Sequence, residues 1–155
     1  MASSPLARFL RLPAVDRSVF LRSLITLAAA RVTVWVLPFR TVRRLLTPSP
    51  GRAVAPGFTP ERVRWAIGVA RTVVPAATCL PQALAAESLL ARGGHPAELH
   101  IGVMKSTAGK FEAHAWVEYQ GRIVVGDLPG GLSGYTRLPR LPDAWPGPRS
   151  LETKP

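Results

Sequence analysis

From residue 19 to residue 37 apolar positions return at helical spacing. Leu21, Leu24, Ile25, Ala28, Val32, Trp35 and Val36 recur every three or four residues, which predicts a helix turning that stripe to the core. Pro38 ends it, because proline lacks the amide hydrogen and clashes with the preceding turn. Residues 40–46 predict another turn or two of helix, and residues 47–60, TPSPGRAVAPGFTP, a Pro/Gly linker. Thr59-Pro60-Glu61 is a helix start: a capping hydroxyl, proline at the first position, and an acid at the positive dipole end. Val63, Ala66, Ile67, Ala70 and Val74 then give one apolar face before Pro75. CLPQALAAESLLAR, residues 79–92, predicts the next helix, capped by Thr78 or Cys79 and closed by Gly93-Gly94. Pro81 is tolerated there because it lies in the first turn.

Downstream the period changes from helical to alternating. Leu99, Ile101 and Val103 share one face of a strand over residues 97–103, and residues 104–110 read as a loop. FEAHAWVEYQGRIVVGD, residues 111–127, is a hairpin about Gln120-Gly121, where glycine supplies the positive φ of a tight turn. Residues 128–155 carry Pro129, Pro139, Pro142, Pro146, Pro148 and Pro155 and predict an irregular tail over the surface. The fold class is therefore α+β: N-terminal helices on a small antiparallel sheet. The expected organisation is a helical region over 1–46, a linker over 47–60 and a core over 61–155, together one compact domain.

A length of 155 residues and a hydrophobic fraction of 47% fit one domain with a real core and exclude a disordered chain. The single cysteine, Cys79, excludes an intramolecular disulfide framework and fits a reducing compartment. Residues 1–18 lack a clean apolar segment, so no secretory signal is expected and the expected location is cytoplasmic. Arg22 and Arg31 interrupt residues 19–37, and no unbroken apolar run reaches the roughly 18–20 residues of a membrane span. The flanking arginines leave contact with a membrane surface open.

The net charge of +11 is unevenly placed. Residues 1–75 hold 12 arginines against Asp16 and Glu61, whereas residues 76–155 come to +1. Such a half suits an acidic partner, an anionic membrane face or nucleic acid. An excess of arginine over lysine, with much alanine and proline, is equally what codon bias produces.

The hairpin spends two positions on lone polar residues, His114 and Asp127. A two-residue turn sets Tyr119 opposite Arg122 and carries His114 opposite Asp127, with Cβ atoms roughly 4.5–5.5 Å apart. A carboxylate there would fix the imidazole tautomer and aim the other nitrogen outward. Cys79 is the group to be deprotonated, since the helix dipole stabilises a thiolate at a helix N-terminus. The first-turn N–H groups supply part of an oxyanion hole. Singly, Cys79 reads as a small buried apolar residue, His114 as structural and Asp127 as a turn residue; together they read as a Cys-His-Asp triad. Glu118 is the rival acid, but it lies roughly 13 Å along the strand from His114. Trp116 reads as packing or as the wall of a substrate groove. His95 and His100 do not make a metal site, because one cysteine and no HxxxH pair are too few ligands. No GxxxxGK[ST] loop is present, and no cofactor is expected.

CLPQALAAESLLARGGHPAELHIGV followed by FEAHAWVEYQGRIVVGD resembles the small transglutaminase-like cysteine peptidases of lasso-peptide biosynthesis, over residues 79–127. The Leu-rich, Arg-rich N-terminal region and the length are similar to the stand-alone protease half of split family members. The resemblance implies a papain- or transglutaminase-like fold, with the nucleophile on Cys79, the base on His114 and the orienting acid on Asp127. It implies removal of the leader from a ribosomal precursor peptide, a separate small leader-binding recognition protein, and a separate ATP-dependent lasso cyclase. No nucleic acid is implied. An acyltransferase using the same triad and a non-enzymatic basic binding protein remain the alternatives.

Overall fold

The computed structural model describes residues 9–46, 54–107 and 109–139. The expectations for residues 47–53 and 140–155 lie outside them. Four helices, α1 (Ala14–Val36), α2 (Phe39–Leu46), α3 (Pro60–Val73) and α4 (Cys79–Arg92), precede four strands among the described residues. The strands are β1 (Glu98–Lys105), β2 (Phe111–Tyr119), β3 (Arg122–Val125) and β4 (Thr136–Arg137). They form one antiparallel sheet in the order β3-β2-β1-β4. The class is α+β.

α4 is the centre of the molecule. Pro81 and every residue from Ala83 to Leu90 are buried, because α1, α2 and α3 pack on one side of it and the sheet on the other. Its alanines let neighbours approach closely. Its buried acid, Glu87, accepts from Arg43 Nη2 of α2 at 3.0 Å, and Ser88 Oγ donates to the Leu46 carbonyl. Both polar groups are thus partnered, as burial requires.

α3 begins as expected: the Thr59 hydroxyl accepts from the Arg62 amide at 3.4 Å, with Pro60 in the first turn. Val63, Ala66, Ile67 and Ala70 are its buried face.

α1 buries a different face from the one its periodicity predicts. Val19, Ser23, Leu27 and Ala30 are buried, while Leu21, Ile25, Val32, Trp35 and Val36 are exposed, Trp35 by 81%. Apolar residues run nearly all round this helix, so spacing alone does not choose a side. Asp16, which accepts from Arg62 Nε of α3 at 2.9 Å, and the small residues Ser23 and Ala30 choose it by permitting close packing. By length and composition α1 is also apolar enough to cross a membrane, with a mean hydropathy of 1.6 over an 18-residue window. An average over a window tolerates the two arginines that break the run.

The hairpin turn forms as read, with Gln120 and Gly121 both at positive φ, 50° and 73°. Tyr119 opposes Arg122 and Glu118 opposes Ile123, but the next pair is Val117 with Val125. The expected register, which sets His114 opposite Asp127, is therefore overturned by a bulge at Val124. Its physical reason is burial. Val124 and Val125 are 5% and 7% exposed and belong to the same core cluster, and a bulge lets two successive residues turn to one face.

Residues 128–139, expected to be irregular, instead add β4 at the edge of β1. Gly102 pairs with Arg137, and the Leu138 amide donates to the Ile101 carbonyl at 2.8 Å. Side chains at this edge, Tyr135 and Arg137, lie on the face of the sheet that carries Trp116. Trp116, 1% exposed, lies there across Gly102, where a Cβ would come within 2.9 Å of the indole. Arg137 stands over the indole at 5.5 Å.

Glu118 closes the same cluster, accepting from Trp116 Nε1 at 2.9 Å and from Arg137 Nη2 at 2.6 Å. Burial raises its pKa, but those two hydrogen bonds and the charges of Arg137 and His100 outweigh it, so the carboxyl is held below its ordinary value. A lowered carboxyl pKa contributes stability above the unfolded value, and the contribution is lost as pH falls through the folded one. Glu118→Gln should therefore melt below the native protein near neutral pH, and the two should converge as pH falls below the ordinary carboxyl value of 4.5. Melting curves across that range test it; a gap that stays constant into acid contradicts it.

Candidate active site

Cys79 is the first residue of α4, after a short connection in which Ala76 takes φ 53°. That turn is held by its neighbours: the Thr78 amide donates to the Ala76 carbonyl at 2.9 Å, and Gln82 Nε2 donates to the Ala77 carbonyl at 2.6 Å. The sulfur is half-buried and has no hydrogen-bond partner among the described residues. Pro81 has no N–H, and the Gln82 amide is spent on the Thr78 carbonyl at 3.4 Å. The amides of Cys79 and Leu80 therefore remain as donors at the helix entrance.

His114 projects from β2 on the side of Trp116, whose ring stacks with it at 6.3 Å and 16°. Tyr135, carried in by β4, packs at 5.7 Å. His114 Nε2 lies 2.7 Å from the Gly126 carbonyl. A carbonyl only accepts, so Nε2 carries the hydrogen and the neutral ring offers its lone pair at Nδ1. Gly126 can present that carbonyl because it has no side chain. At φ 94°, a Cβ would lie 2.7 Å from the Ala115 carbonyl oxygen and 2.7 Å from Trp116 Cβ.

Asp127 follows immediately, but its carboxylate does not reach the imidazole. Its Oδ2 accepts from Arg64 Nη2 of α3 at 2.7 Å, an ion pair more than half exposed on both sides. The bulge is why: it brings Gly126, and not Asp127, into hydrogen-bond reach of His114.

Cys79, His114 and Asp127 nonetheless line one cleft of about 540 Å³ between α3, the start of α4 and the end of β3. No hydrogen bond joins the thiol to His114, or His114 to Asp127, among the described residues. Gln82, Arg64 and Arg71 line the same cleft. Sequence reasoning assigned no role to Gly126, Arg64 or Arg71. The first was legible only as a glycine beside a candidate acid, and the arginines as part of a general basic excess.

The remaining candidates are engaged elsewhere. Glu118 holds Trp116 and Arg137. His95 Nδ1 is 3.3 Å from the Tyr119 hydroxyl, and His100 lies between Glu98 and Glu118 at 3.7 and 3.6 Å.

The arrangement offers a thiol at the positive end of a helix, two free backbone donors beside it, and an imidazole of defined tautomer across the cleft. That is the equipment of acyl transfer through a thioester. The family model described as the transglutaminase-like superfamily matches residues 23–140, which takes in all three candidate residues. No curated protein and no solved structure gives a significant match.

Proposed function

The chain belongs to the transglutaminase-like superfamily, and on that premise we propose that it is a cysteine peptidase removing the leader from a ribosomally made lasso-peptide precursor. Proteins of this superfamily are in general cysteine peptidases or acyltransferases. The observation that carries the choice of residues is the sharing of one cleft by Cys79, at the entrance of α4, and His114, tethered through Nε2. The leader-specific part rests on the likeness of the Cys-Leu helix start and the His-Ala-Trp strand to the lasso leader peptidases.

In this reading His114 Nδ1 takes the proton of the Cys79 thiol, and the thiolate adds to the carbonyl carbon of the leader–core bond. The amides of Cys79 and Leu80 hold the oxyanion. Collapse of the adduct breaks the C–N bond, His114 returns the proton to the leaving amine, and the leader stays on sulfur as a thioester. Water then releases it, and a separate ATP-dependent cyclase closes the ring. An amine in place of water would make the same thioester an acyltransferase intermediate. A labelled primary amine distinguishes the two: hydrolysis predicts unlabelled leader.

Asp127 is the orienting acid of this proposal: when substrate is bound it leaves Arg64 and shares the Nε2 hydrogen of His114 with the Gly126 carbonyl. Asp127→Asn should then lower cleavage about a hundredfold or more, and Glu118→Gln far less. Equal losses in single-turnover assays would remove Asp127 from the mechanism.

Leader recognition is assigned to a separate small protein. Residues 9–46 and 54–78 hold helices and no strand, whereas a winged-helix-like leader-binding module needs strands. The basic half of the chain is the docking surface proposed for that protein or for an acidic leader. Precursor cleavage with and without the partner, at low and high salt, tests this. Strong stimulation that weakens with salt is expected; efficient leader-dependent cleavage by the chain alone contradicts it.

A further inference from the structure

Three residues on one face of α3, Arg64, Gly68 and Arg71, line the cleft beside Cys79. Their spacing of four and then three residues stacks them along the helix. Both arginines and Gly68 are exposed. A Cβ at Gly68 would meet nothing within 4 Å, so the helix surface at the position between the two arginines is open. The charges do not balance. Asp127 pairs with Arg64 at 2.7 Å, while Arg71 has no ion pair or hydrogen bond among the described residues. Asp127 is also the only acid lining the cleft among the described residues.

We propose that Arg64, Gly68 and Arg71 form an anion-binding wall that receives a carboxylate-bearing residue of the substrate chain close to the bond being cleaved. The proposal rests on the peptidase reading for its substrate, and it names a specificity which that reading leaves blank. Guanidinium groups suit the role because their planar donors match a carboxylate two bonds at a time. Gly68 leaves room for the acid to lie between them. An incoming carboxylate also competes with Asp127 for Arg64.

The test uses the single cysteine and needs no substrate. Iodoacetate and iodoacetamide alkylate the same sulfur and differ in charge, so their rate ratio at Cys79 reads the local field. The ratio should be higher in the native chain than in the urea-unfolded chain. Arg71→Ala should lower it about threefold to tenfold, Arg71→Lys should keep most of it, and added salt should lower it in the native protein. An equal ratio in the native protein and Arg71→Ala overturns the anion wall, even where iodoacetamide reacts fast and the nucleophile reading survives. Slow reaction of native Cys79 with both reagents counts against the nucleophile, while the ratio still reads the wall. Exchanging acidic residues of the precursor for their amides then identifies the position: KM should rise for the native enzyme and change little for Arg71→Ala.

Discussion

Cys79→Ala should abolish precursor cleavage, by about ten-thousandfold or more, and leave the fold in place. The sulfur is half-buried, lines the cleft and has no hydrogen-bond partner among the described residues, so its removal should cost about 1 kcal/mol or less. Circular dichroism and the melting temperature should barely move. Loss of catalysis should be near total because a thioester needs the thiolate, and removing one member of a nucleophile–base pair disables the unit. His114→Ala should come close to the same rate. Full cleavage by the Cys79→Ala protein would end the peptidase reading.

Gly126→Ala is the second change with a large expected effect, and it acts on two links at once. The new Cβ would meet the Ala115 carbonyl oxygen at 2.7 Å and Trp116 Cα at 2.8 Å, in a backbone at φ 94°. Those are backbone atoms and the root of a packed indole, so they cannot swing aside. The expected destabilisation is about 2–4 kcal/mol. Relief by backbone movement would carry off the carbonyl that holds His114 Nε2, so cleavage by the remaining folded protein should fall at least about a hundredfold. Gly130→Ala is the control, since a Cβ there would meet nothing within 4 Å; it should melt and cleave like the native chain. Equal behaviour of the two variants would show that the Gly126 tether does not position the base.

The parts of this fold that were legible in the sequence are those set by neighbours in the chain. Thr59-Pro60-Glu61 starts α3 and Gln120-Gly121 turns the hairpin, because a cap and a tight turn are decided within four residues. What depends on distant chain was not legible. The face α1 buries is chosen by Asp16 meeting Arg62, 46 residues away. The edge strand β4 exists because β1 offers it unpaired backbone, which a Pro-rich stretch does not advertise.

The site divides in the same way. Cys79 at a helix start and His114 on a strand were readable from local pattern, and the fold brings both to one cleft. The imidazole's partner was not, because the register slips where Val124 and Val125 both go into the core. One residue of slip puts a backbone carbonyl where a carboxylate was expected and sends Asp127 to Arg64. Arg64 itself was hidden in a basic excess that looked like composition.

If Cys79 forms the bond to the leader, the thioester intermediate can be trapped on it. The chain is mixed with precursor peptide and the recognition protein, quenched in acid within the first turnover, and measured by intact mass and by mass spectrometry of its proteolytic peptides. The expected species is heavier by the leader acyl group, which sits on the peptide containing Cys79 and is absent from Cys79→Ala. Continued cleavage by Cys79→Ala, with no acyl group on the native chain at any time, would contradict it.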